Sequence, residues 1–127
     1  MADVILDSSA VLAFLNHEAG RDRVADALAV SLVSAVNHAE VLEKLVERGR
    51  SIEDAVMVTD TLTYEIANVD VLQAFRAAAL RAPTRHRGIS LGDRFCLALA
   101  QEMGLPVLTA DRAWQDLGLD VEITLIR

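Results

Sequence analysis

The stretch ISLGDRFCLALAQEMGLPVLTAD, residues 89–111, decides how this chain folds. From Leu91 to Met103 it reads as one helix, almost uncharged after its first turn and apolar nearly all round, so it must lie in the middle of the structure. Ser90 and Asp93 have the spacing of a capping box that starts this helix, and Gly104 stops it. PVLTA at 106–110 then reads as a strand that gives way abruptly to Asp111.

The same alternation extends outward on both sides. DVIL at 3–6 is a short apolar strand, and SSAVLAFLNHE switches to helical spacing with Val11, Leu12 and Leu15 on one side. Gly20 punctuates, RDRVADALA is a second amphipathic helix, and VSLVS at 30–34 is a second strand. NHAEVLEKLVERG places Ala39, Leu42, Leu45 and Val46 on one face and ends at Gly49. Ser51 with Asp54 starts the next helix, SIEDAVMVTDTLTYE at 51–65, so that two helices form a hairpin. EIANV at 65–69 reads as a third strand, followed by a helix with Val71, Leu72, Phe75 and Leu80 as its apolar residues. APTRHRG at 82–88 breaks regular structure, and after Asp111 come a turn around Trp114 and a last strand, VEITLI. Strands alternating with helices predict an α/β domain with a parallel sheet covered on both faces. Ligands of such sheets bind beyond the carboxyl ends of the strands, where Asp7 and Asp111 both fall.

Composition narrows the chemistry. The 127 residues suit one domain, which buries about two-thirds of the surface of its unfolded chain. Hydrophobic residues make up 53% but aromatics only 4%, so Ala, Val, Leu and Ile build the core. No apolar run approaches the roughly 20 residues of a membrane span, and the N-terminus lacks the pattern of a secretory signal, so a cytoplasmic location is expected. Cys96 is the only cysteine, which removes cysteine-based zinc sites, and His17, His38 and His86 form no HExxH spacing. Neither GxxxxGK[ST], GxGxxG nor GxSxG occurs. The net charge of -7 leaves little general attraction for a polyanion. The basic cluster Arg81, Arg85, His86 and Arg87 is either a solvated loop or a local phosphate contact.

Four separated acids remain: Asp7, Glu40, Asp93 and Asp111. Each has an ordinary explanation. Asp7 and Asp111 stand where an N-cap stands, Asp93 completes its capping box, and helical spacing sets Glu40 about opposite the Leu42 and Leu45 face. Together they say more, because an acid on a buried helix needs compensation. If Asp93 meets Asp7 and Asp111, a hard cation such as Mg²⁺ or Mn²⁺ relieves their repulsion and keeps waters that can serve as nucleophile.

This pattern resembles the PIN-domain ribonucleases, most closely the VapC-type toxins of toxin-antitoxin pairs. The resemblance rests on VILDSSAVLAFL, SAVNHAEVLEKL, ISLGDRFCLALAQEMGLPVLTAD and RAWQDLGLDVEI, in that order, and covers nearly the whole chain as a single PIN domain, residues 1–127. It implies a three-layer α/β/α sandwich with a central, mainly parallel sheet and a helical hairpin, about residues 37–63, projecting as a clip. It implies a Mg²⁺- or Mn²⁺-dependent endoribonuclease in which Asp7, Glu40, Asp93 and Asp111 are the metal-binding and catalytic acids. Ser9 and Thr109 would support them. Asp116 is the next carboxylate after Asp111, beyond Trp114, where many relatives carry a further acid. Arg85, Arg87, Arg94 and Arg112 are the expected RNA contacts. A VapB-like antitoxin and homodimerisation are implied in the same way.

Other readings use some of these residues. Haloacid-dehalogenase-type phosphatases need an Asp where this chain has Ser9, and response-regulator receivers need a late lysine, whereas Lys44 is the only one. A catalytically silent PIN-like RNA-binding or scaffold module is the alternative of another class. Chelator-sensitive cleavage separates it from the enzyme.

Overall fold

Three strands, β1 (Val4–Leu6), β2 (Ser31–Ser34) and β4 (Val107–Thr109), form the centre of a five-stranded sheet, with β3 (Glu65–Ala67) and β5 (Ile123–Leu125) at its edges. The structure is a computed structural model that describes all residues, Met1–Arg127. The order is β3-β2-β1-β4-β5 and every pairing is parallel. The chain therefore winds outward from β1 to β3, then returns to place β4 on the other side of β1. That reversal opens a crevice beyond the carboxyl ends of β1 and β4.

Alternation along the strands divides the core in two. Ile5, Leu32 and Val107 face one layer, while Leu6, Val33 and Leu108 face the other. The first layer contains α5 (Val71–Ala79) and α7 (Leu91–Met103); the second contains α1 (Ser8–Leu15), α2 (Arg21–Ala27), α3 (Ala35–Glu47) and α4 (Ile52–Asp60). This is the expected three-layer α/β/α sandwich. Helix α7 buries Gly92, Arg94 and every residue from Cys96 to Ala100, which bears out its central place. Its capping box is complete: Asp93 N–H donates to Ser90 Oγ at 3.2 Å, and Ser90 N–H donates to Asp93 Oδ2 at 3.2 Å. No helix is long and apolar enough to cross a membrane.

The hairpin of α3 and α4 is present. Gly49, with φ of 103°, supplies the left-handed residue that ends α3, while Arg50 N–H bonds back to the Leu45 carbonyl at 3.2 Å. Ser51 caps α4 through Asp54 N–H at 3.1 Å, but Asp54 turns its carboxylate to Arg50 rather than completing the box. His38 and Tyr64 share a 2.7 Å hydrogen bond that ties α3 to the segment after α4.

Four expectations are corrected here. α3 buries Asn37, Val41 and Leu45, whereas Ala39 and Val46 of the expected face are exposed. α4 ends at Asp60 instead of 65, because the chain turns through Thr63 at φ of 68°. α5 packs through Gln73 and Ala77, leaving Val71, Leu72 and Phe75 in solvent. The segment 82–88 is more regular than expected, since α6 (Arg81–Thr84) and a 3₁₀ turn at Arg85–Arg87 occupy it before Gly88.

Candidate active site

Asp7 sits at the carboxyl end of β1 as the N-cap of α1, and its carboxylate is the best-held polar group in the molecule. Ala10 N–H donates to Oδ1 at 2.9 Å, satisfying one orphan donor of the helix. Ser9 Oγ donates to the same carboxylate at 2.8 Å, and Thr109 Oγ1, on β4, donates to Oδ2 at 2.8 Å. Those two hydroxyls are held in turn by Ala110 N–H, 2.9 Å from Ser9 Oγ, and Asp111 N–H, 3.0 Å from Thr109 Oγ1. Ser9 and Thr109 thus fix Asp7 and the strand end that presents Asp111, as support residues should.

Burial dominates the electrostatics. Asp7 is 1% exposed, and its pKa is raised to about 7, first by burial and further by the charge of Asp93; the hydrogen bonds act in the opposite direction. Asp93, half-buried at the start of α7, is also raised, by burial first and then by Asp111 and Glu40. Asp93 thus lies within electrostatic reach of Asp7, Asp111 and Glu40. Asp111 is exposed and accepts from Ala113 N–H at 2.9 Å. Glu40 accepts from Asn37 Nδ2 at 2.8 Å and lies against Gly92 of α7. Since Asn37 is buried between α3 and α7, Glu40 is turned toward the acids rather than away from them.

All four acids offer oxygen donors, and the buried Asp7 carboxylate lacks a cationic partner, so the donor set fits a hard divalent ion. No three of the acids converge closely enough to hold one ion. Each is drawn instead to its own capping or side-chain bond. None of them lines either cavity of the molecule, which are bounded by residues 114–125 and by the start of the loop before β4. Asp7 is buried, Glu40 and Asp93 are partly buried and only Asp111 is exposed, so the acids run from the interior at the strand ends out to the surface.

The sequence matches the PIN domain over residues 4–119. The chain belongs to the PIN domain family. Solved structures agree with this PIN domain in fold. DNA-bound VapBC from Salmonella typhimurium superposes with a TM-score of 0.76 at 19% identity, covering all of both chains. A toxin-antitoxin complex from Klebsiella pneumoniae gives 0.76 at 18% identity over 98% of each chain. Mycobacterium tuberculosis VapC20, a Sarcin-Ricin loop cleaving toxin, gives 0.70 at 15% identity over 91% of this chain and 93% of that one. No curated protein matches the sequence.

Two expected positions of the PIN domain lie elsewhere than the site. Arg94 is only 8% exposed, and it donates to the Ala77 carbonyl at 3.2 Å and from Nε to the Ser90 carbonyl at 3.4 Å. It stitches α5 to α7 and is withdrawn as an RNA contact. Arg94→Ala takes this donor from the buried Ala77 carbonyl, while the Ser90 carbonyl keeps the backbone N–H of residue 94, and is expected to lower stability by about 1–3 kcal/mol in urea denaturation, without changing RNA affinity of the folded protein. Asp116, exposed and in a left-handed conformation at φ of 57°, lines the cavity with Trp114 and Leu117 and takes no part in the bonds around Asp7. Arg85, Arg87 and Arg112 are exposed. Sequence reasoning passed over Asn37 and Gly92; the signal was Asn-x-x-Glu at 37–40, a spacing that brings two helical side chains together.

Proposed function

We propose that this PIN domain is a metal-dependent endoribonuclease toxin of the VapC type, held inactive by a VapB-like antitoxin. One observation carries the reading: Asp93, at the start of α7, is within electrostatic reach of Asp7, Asp111 and Glu40, and Asp7 and Asp111 stand at the carboxyl ends of β1 and β4, where such sheets bind ligands. The similar structures, VapBC complexes and a toxin that cleaves the Sarcin-Ricin loop, support the choice of partner and substrate class. Asp7, Asp93 and Asp111 would hold Mg²⁺ or Mn²⁺ once side-chain rotation brings them closer than they stand without it, with Glu40 binding a second ion or orienting the attacking water. Such an ion lowers the pKa of water and neutralises charge on a phosphodiester.

The chain's own residues supply position. Ser9, Thr109 and Ala10 N–H clamp Asp7 from three directions, so a ligand carboxylate is aimed before any ion arrives. Glu40, aimed at the same face, can accept a proton from water. Exposed Arg85, Arg87 and Arg112 are the available phosphate contacts in an otherwise acidic chain. The acidic crevice also suits a basic side chain of the antitoxin. Pairing into a homodimer is part of the proposal, with exposed Val46, Ile52 and Met57 of the hairpin as candidate contacts.

The test is cleavage of structured RNA by the purified chain. Mg²⁺ or Mn²⁺ should switch cleavage on and EDTA should switch it off, and a VapB-like partner encoded with it should suppress it. Metal-independent cleavage would overturn the metal reading, and RNA binding without cleavage in either metal would instead support the silent RNA-binding module.

A further inference from the structure

Glu40 is held from one turn earlier on its own helix and meets α7 across the contact between the two. Asn37, fully buried on α3, donates from Nδ2 to Glu40 Oε1 at 2.8 Å and to the Gly92 carbonyl of α7 at 3.1 Å. Both partners are acceptors with no hydrogen to give, so the amide stands one way round only. Its Oδ1 is then left buried without a partner. Across the contact between α3 and α7, the Glu40 carboxylate occupies the space where a side chain of residue 92 would begin. A Cβ there would stand 2.8 Å from Glu40 Cδ and 2.9 Å from Oε1.

Gly92 has no left-handed backbone angle that would require glycine. It is the second residue of a helix, where alanine is otherwise the better residue. Glycine at 92 thus weakens α7, and a buried amide with an unmatched acceptor weakens α3. Both local costs fall on one carboxylate. From that place the Glu40 charge reaches Asp93.

We propose that Asn37 and Gly92 form a socket that fixes the Glu40 carboxylate beside Asp93: Asn37 is a positioning residue, and Gly92 provides the room. This rests on the reading of the acids as a Mg²⁺ or Mn²⁺ site and adds the residues that set one of its donors. A purely structural role would have Asn37 and Gly92 merely joining α3 to α7, with Glu40 a bystander.

Gly92→Ala separates the two, because its new methyl meets the end of a flexible side chain that can swing away at little cost to the fold. The expected result is a melting temperature, without metal, equal to or above wild type. Mn²⁺ affinity, read from the loss of the free Mn²⁺ electron-paramagnetic-resonance signal, should fall about ten- to a hundredfold. Glu40→Asp keeps the charge but shortens the reach, and should lose affinity to a similar degree. Adding Gly92→Ala to Glu40→Asp should cost little more, since the shorter side chain no longer fills the socket. Wild-type Mn²⁺ affinity in either single variant, or losses that simply add in the double variant, overturns the socket. Absence of Mn²⁺ binding in the wild-type chain overturns the metal reading itself, before any variant is made.

Discussion

Asp7→Asn and Asp93→Asn are each expected to cut the rate of RNA cleavage by at least about a hundredfold at saturating Mg²⁺. The amide keeps the size of the side chain and, at position 7, can still accept from Ala10 N–H, because Asn is as good an N-cap as Asp. What disappears is one negative charge at the place where a cation would offset charge on the phosphate. Losing several kcal/mol of that stabilisation corresponds to two or more powers of ten in rate. Single-turnover cleavage beside a circular dichroism spectrum checks this result. A folded Asp7→Asn or Asp93→Asn protein that cleaves at the wild-type rate would remove that residue from the site.

The second large effect concerns stability and runs in the opposite direction. The folded-state pKa of Asp7, about 7, lies above its unfolded value of 3.8, so the native state holds a proton that the unfolded chain has released between those two values. Asp7's contribution to stability is therefore intact below about pH 4, declines as pH rises, and is exhausted above about pH 7. Three pKa units at about 1.4 kcal/mol each make the full change roughly 4 kcal/mol. Asp93 acts with the same sign. Asp7→Asn removes this dependence, and the metal-free variant should melt at least about 5 °C above wild type at pH 8, with the difference closing toward pH 4. Added Mg²⁺ should raise the wild-type midpoint at pH 8 and leave the variant unchanged. Parallel melting curves of the two proteins across this pH range would show that Asp7 does not titrate as its burial dictates. A residue that weakens the fold yet is clamped by three separate groups is characteristic of a binding position.

Much of this was legible in the chain because the strongest local signals agreed with the global fold. The apolar α7 could only be central, and Ser90, Gly49 and Gly104 marked helix ends that the structure keeps. Asp7, Asp93 and Asp111 were readable because each closes or opens an element, and strand ends in a parallel sheet share an edge. Helix facing was less readable. In α3, two apolar stripes compete, and the one through Val41 and Leu45 wins because it packs into the layer of α1, α2 and α4. In α5, small Ala77 allows close approach to α7, so the bulky Val71 and Phe75 are turned outward against their hydrophobicity. Arg94 looked like a surface cation because its two carbonyl partners come from a helix end and a neighbouring helix that no local pattern predicts. Gly92 carried no signal by itself, since only the approach of a side chain from another helix shows what the missing Cβ makes room for.

The pairing of β1 with β4 has a consequence for the life of the chain. Residues 4–6 are made about a hundred residues before their partner on that side, the strand at 107–109, and Thr109 is the residue that closes on Asp7. Loop closure over about a hundred residues comes late in folding, after the local helices have formed. No partly synthesised chain that stops short of Asp111 can assemble the four acids. The topology is thus a timer: the chemistry of the four acids waits until the segment carrying Thr109 and Asp111 has been made and has folded back onto β1.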